Sequence, residues 1–197
     1  MMAKGVSFRS HEVIERKVDI ILQKAKGKGF YNFDSATPID LIIEKLFRLK
    51  IGGFVNLNKD FSGALGALDL NNGVVWIDES LDHTVNPSDF TREARCNFTI
   101  AHELGHYVFH RPQYKEAKNS ALFHDGSDPR TKALETQANM FASYILMPRA
   151  VMMKKWEEID QSCPIDSAIR EMTRFFKVSR ETMTYKLKFL GLLDPSY

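Results

Sequence analysis

The chain has 197 residues, with 27 Lys and Arg against 25 Asp and Glu, and is 44% hydrophobic and 26% charged. That length fits one domain, or one catalytic body with a small appendage, and a net charge of +2 is too slight to mark the whole chain as a nucleic-acid binder. Two cysteines, Cys96 and Cys163, exclude a disulfide framework, and no uncharged run reaches the roughly 18–20 residues that a membrane span needs; Met1-Met2-Ala3-Lys4-Gly5 leads into a charged segment without a signal-peptide core, so a cytoplasmic location is expected.

Ser10 caps the first predicted helix, which runs through Val13, Val18, Ile21 and Leu22 and ends in Gly27-Lys28-Gly29. Thr37-Pro38-Ile39-Asp40 reads as the capped start of a second helix through Leu41, Ile42, Leu46 and Phe47, ended by Gly52-Gly53. Phe54-Val55-Asn56-Leu57 reads as a short strand. From Ala64 to Asp78, two apolar runs joined by Asn71-Asn72-Gly73 read as a hairpin, so the expected sheet is small and antiparallel. Gly63, Ala64, Gly66 and Ala67 would leave room for an extended polypeptide to pair with a sheet edge, although close packing is the simpler reading of such small residues.

The third predicted helix lies between Pro87 and Pro112, with Phe98, Ile100, Ala101, Leu104, Val108 and Phe109 at three- and four-residue spacings. It carries His102-Glu103-Leu104-Gly105-His106. Residues i and i+4 of a helix share a face with Cβ atoms about 5–6 Å apart, so both imidazoles can reach one metal ion. Glu103 projects about a quarter-turn round the helix, placed to take a proton from water rather than to bind metal. His110 extends the series, but it would lie about 12 Å along the helix from His102 and cannot share a first coordination shell with it. Arg92 and Arg95, just before the motif, read as structural ion-pair partners rather than as substrate contacts.

A catalytic zinc takes a third protein ligand, which has to come from elsewhere in the chain. Glu135 is the best candidate: it lies on a predicted helix opening at Asp128-Pro129 and stopping at Pro148, beside an apolar face of Leu134, Ala138, Phe141, Ala142, Ile145 and Leu146. Glu116, His124, Asp125 and Asp128 are rivals in a turn-rich stretch. Asn139, one turn after Glu135, is placed to hydrogen-bond the free ring nitrogen of a ligating histidine. For an oxyanion donor, His110, His124, Tyr107, Tyr144 and Arg149 are available, and His124 is the preferred one because its loop lies between the ligand-bearing helices.

Beyond Pro148, helical patterns run from Val151 to Ile159, from Pro164 to Phe176 and, after Lys177-Val178-Ser179, through Met183, Leu187 and Leu190. The expected organisation is a catalytic domain over 1–148 and a C-terminal helical subdomain over 149–197 packed on it. Arg170, Arg174, Lys177, Arg180, Lys186 and Lys188 give the last helices a basic bias. They read either as a helix-turn-helix for DNA or, the simpler case, as packed helices with solvated basic faces.

Phe98-Thr99-Ile100-Ala101-His102-Glu103-Leu104-Gly105-His106, followed by Glu135-Thr136-Gln137-Ala138-Asn139-Met140-Phe141-Ala142 and Leu146-Met147-Pro148, resembles the ImmA/IrrE family of metallopeptidases. The resemblance is close over about residues 92–148 and general elsewhere. It implies an α+β, zincin-like peptidase with zinc on His102, His106 and Glu135, manganese as a substitute in vitro, and Glu103 as base. It also implies a substrate: a partner helix-turn-helix repressor whose cleavage switches on a mobile-element, phage or stress regulon. Some members carry a sensor-like domain after the peptidase, for which a chain ending at Tyr197 leaves no room. The alternative function is a DNA-binding regulator or toxin-antitoxin component using the C-terminal helices; a third, a binding module keeping zinc only for structure, is at odds with an intact Glu103.

Overall fold

The computed structural model describes residues 9–57, 63–116, 129–160 and 162–197. Helix α1 (His11–Gly27) starts where the Ser10 hydroxyl accepts the Val13 N–H, and it buries Ile14, Val18, Ile21, Leu22 and Ala25 along one stripe. Val13, expected on that stripe, is 44% exposed, and Ile14 takes the core position. Helix α2 (Ile39–Phe47) begins without a side-chain cap. Thr37, expected to supply one, instead donates its hydroxyl to the Ile145 carbonyl at 2.8 Å, tying the start of α2 to a distant helix.

The end of α2 also differs from expectation. Arg48 adopts a left-handed conformation that stops the helix, and Gly52-Gly53 belong to strand β1 (Lys50–Val55). Gly52 is needed in the sheet because a Cβ there would lie 2.5 Å from the Trp76 ring. Strands β2 (Gly66–Asp69) and β3 (Val74–Asp78) form the hairpin, and the Asp69 carboxylate accepts the N–H groups of Asn71 and Asn72 in its turn. The sheet order is β1-β3-β2, with β1 parallel to β3. The sheet is therefore mixed, not antiparallel. β1 ends and β2 begins at the same end of the sheet, opposite Asp78 and Ile77, on either side of β3.

Helix α3 (Phe90–Glu116) continues through Pro112, past the expected end. Helices α4 (Pro129–Leu146), α5 (Arg149–Glu158), α6 (Ile165–Phe176) and α7 (Arg180–Phe189) complete the chain. Lys177 turns the chain left-handed after α6, and the Ser179 hydroxyl caps α7 by accepting the Thr182 N–H. The small sheet lies against α3, which packs on α4; α4 packs in turn on α1. One apolar core includes Leu104 and Phe141 as well as Met172, Met183 and Leu187 from the C-terminal helices. Removing a fully buried ring such as Phe141 would cost about 3–5 kcal/mol. Among the described residues no helix is long and apolar enough to cross a membrane.

Candidate metal centre

Two small residues let the central helices meet. A Cβ on Gly105 would lie 3.1 Å from the Ala138 Cα, so α3 and α4 touch nearly backbone to backbone at this level. Glycine inside a helix costs about 1 kcal/mol relative to alanine, which the close approach offsets. That contact sits between His102 and His106 on α3 and beside Glu135 on α4, and it brings their side chains to one place.

His102 Nε2 and His106 Nε2 are 3.0 Å apart. Glu135 closes the triangle with one carboxylate oxygen 3.1 Å from His102 and the other 3.2 Å from His106. Donors bonded to tetrahedral zinc at about 2.0–2.1 Å stand roughly 3.3–3.4 Å from one another, so two imidazoles and a carboxylate already lie close to that spacing. The donor chemistry and the convergence both fit a divalent transition metal.

Neighbouring side chains fix the rings. The Nδ1–H of His102 donates to the Asn139 amide oxygen at 2.8 Å, directing the other nitrogen into the centre. His106 Nδ1 lies 3.0 Å from His110 Nδ1. Burial, and then the charge of His106, pushes His110 down to about 3, so its ring is neutral and can accept the His106 Nδ1–H. Thus His110 stands behind His106, facing away from the centre. Its i, i+4 spacing from His106 was the available sequence signal for that contact. Burial lowers the pKa of His102, but the Glu135 hydrogen bond and the charges of Glu103 and Glu135 outweigh it, and the net shift is upward.

Glu103 is 1% exposed and lies under the first residue of β2. A Cβ on Gly66 would approach the Glu103 Oε1 to 2.9 Å and the Thr99 methyl to 2.5 Å, so for Gly66 the small side chain serves close packing. A cleft of about 340 Å³ opens beside these groups, lined by Ala64, Gly66, Thr99, His102, Glu103 and Asn139 among others.

The other candidates fall elsewhere. His124, Asp125 and Asp128 lie outside the described residues. Tyr107 accepts a hydrogen bond from Arg111, and the Tyr144 hydroxyl meets His11 Nδ1 at 2.8 Å, away from the cleft. Arg92 pairs with Asp89 at 3.3 Å.

The sequence profile of the IrrE N-terminal-like domain, Peptidase_M78, matches residues 67–188. Among curated proteins none matches. A solved Mycobacterium tuberculosis transcriptional regulator is similar in fold, with a TM-score of 0.58 and 16% identity over 88% of this chain and 55% of that one. The chain thus spans about half the length of that regulator, and the likeness is one of fold alone.

Proposed function

This chain belongs to the Peptidase_M78 family of IrrE N-terminal-like domains, and on that footing we propose that it is a zinc-dependent endopeptidase in which His102, His106 and Glu135 hold the metal. The observation that carries the reading is the convergence of these three side chains beside a buried glutamate at the wall of an open cleft. Zinc held there would acidify a water and polarise a peptide carbonyl. Glu103 supplies the proton chemistry, taking a proton from the attacking water and returning it to the leaving amine. Asn139 and His110 keep the two imidazoles in register.

The substrate backbone has a place to lie. The Leu65 carbonyl accepts the Asp78 N–H at 2.9 Å, so the alternation of a strand turns the N–H and C=O groups of Ala64 and Gly66 away from β3. Both residues line the cleft, where an extended polypeptide can add as a further strand. We assign as substrate a helix-turn-helix repressor, on the family resemblance. The regulator reading is weaker because four of its six basic residues are otherwise engaged. Lys186 is buried, Lys177 pairs with Glu93 at 2.8 Å, Arg180 pairs with Asp166, and Lys188 bonds the Pro195 carbonyl.

Incubating the zinc-loaded protein with helix-turn-helix repressors, first any encoded beside it, and resolving fragments by mass spectrometry, tests the reading. Wild type should cut at one or a few sites and spare casein, while Glu103→Gln binds the repressor without cutting, because loss of the base spares ground-state contacts. Equal cleavage by both would overturn the mechanism. No cleavage by either, with salt-dependent duplex DNA binding, would transfer the argument to the regulator.

A further inference from the structure

A second cavity, of about 540 Å³, shares Phe98 and Asn139 with the metal cleft and is bounded by residues of α4 and α7. Its walls are aromatic: Tyr144, Tyr185 and Phe189 line it, and His11 stacks on Phe189 at 5.3 Å. Lys186 lines it too, although only 2% exposed. The Lys186 ammonium sits 3.7 Å from the Tyr144 ring centre and 5.6 Å from that of Phe189. Among the described residues no carboxylate forms an ion pair with it. Glu15 and Arg149 act on it by charge without contact, and the exposed Glu181 belongs to the same lining. Ring faces compensate a desolvated ammonium only in part, and an anion would do so more fully. The hydroxyls of Ser143 and Thr182 also line the space and can donate to such an anion.

We infer that this cavity is a binding site for a carboxylate carried on an apolar body, with the carboxylate against Lys186 and the body between Tyr144, Tyr185 and Phe189. Asn139 borders both spaces and holds His102, so occupancy is transmitted to the centre; that link rests on the peptidase reading, whereas the binding does not. The same chemistry is offered by an acidic residue of a polypeptide in the adjoining cleft and by a free small acid.

The test uses the metal-free full chain with isotopically labelled lysine and glycine, titrated with phenylpropionate and, separately, with its neutral amide. The acid should move the Lys186 ε-methylene signal and bind at least about tenfold more tightly than the amide. Lys186→Met should lose that preference, and Tyr185→Ala, whose ring is 70% exposed and dispensable for folding, should weaken the acid severalfold. A Lys186 signal unmoved by the acid, or moved equally by acid and amide, overturns the site, and it does so on wild type whether or not Lys186→Met folds. A blocked peptide, acetyl-Ala-Ala-Glu-Phe-amide, identifies the source. Joint shifts at Gly66 and Lys186 assign a substrate side chain, and a Lys186 response confined to phenylpropionate assigns a free acid. Acid binding without repressor cleavage would sink the peptidase reading alone; cleavage without acid binding would sink this site alone.

Discussion

The Nδ1 of His102 is held by the Asn139 amide oxygen, which turns its Nε2 toward the Glu135 carboxylate and His106 Nε2. Two expectations follow for single residues. His102→Ala, His106→Ala and Glu135→Ala should each lower bound zinc well below about one ion per chain, while Glu103→Gln retains it, because the proposed site uses the first three as donors and the fourth on water. Elemental analysis of the purified variants checks this, and full zinc in Glu135→Ala would remove that residue from the donor set. Asn139→Leu should weaken zinc affinity about 10–100-fold in competition with a chelator, since the ring it orients is freed. Asn139 is exposed, so its circular dichroism should stay that of wild type, and an unchanged affinity would return Asn139 to helix packing.

At the level of elements, the site depends on how closely three backbones approach. Gly105 lets α3 meet α4 at Ala138, and Gly66 lets β2 lie on Thr99 and Glu103. Gly66→Ala should therefore destabilise the protein by about 1–3 kcal/mol in a denaturant melt, since the new methyl has to displace Thr99 or Glu103. It should also cut repressor cleavage more than it reduces zinc content, because Glu103 moves while the donors do not. Zinc and cleavage lost in the same proportion would mean that the strand supports the whole centre and not the base in particular.

Across the whole molecule, α7 reaches back to α1 and α4 through Lys186, Tyr144, Phe189 and His11. Burial lowers the Lys186 pKa from 10.5 to about 8, against the charge of Glu15 and with that of Arg149. Between those pH values the unfolded chain holds a proton that the folded chain has released, so this residue makes stability rise with pH from about 8 to about 10.5. Lys186→Met removes the penalty. It should be more stable than wild type by about 1–3 kcal/mol at neutral pH, with the gap closing as pH approaches the ordinary lysine value. Paired denaturation curves across that range decide it. Tyr144, His11 and Glu181 are present in both proteins and cancel in the difference. A gap that stayed constant with pH would mean that the ring faces already compensate the ammonium.

The local signals in this sequence were sufficient wherever one stretch of backbone decides the outcome. Ser10 and Ser179 cap helices because a hydroxyl reaches an N–H three residues on, and Asn71-Asn72-Gly73 closes a hairpin through Asp69 of the same turn. His102 and His106 face one point because helical periodicity puts them there. Features joining distant segments were not legible in this way. Thr37 reads as a cap, yet its hydroxyl goes to Ile145, 108 residues away. Gly52-Gly53 reads as a helix stop, but Trp76 from another strand makes glycine necessary inside β1. The parallel pairing of β1 with β3 joins strands that are not consecutive in the chain, which no turn residue encodes. Lys186 reads as one more basic residue of a solvated face, and only the packing of α7 on Tyr144 turns it inward. Periodicity and caps are short-range properties of the chain; which surface each face meets is decided by burial in the assembled core.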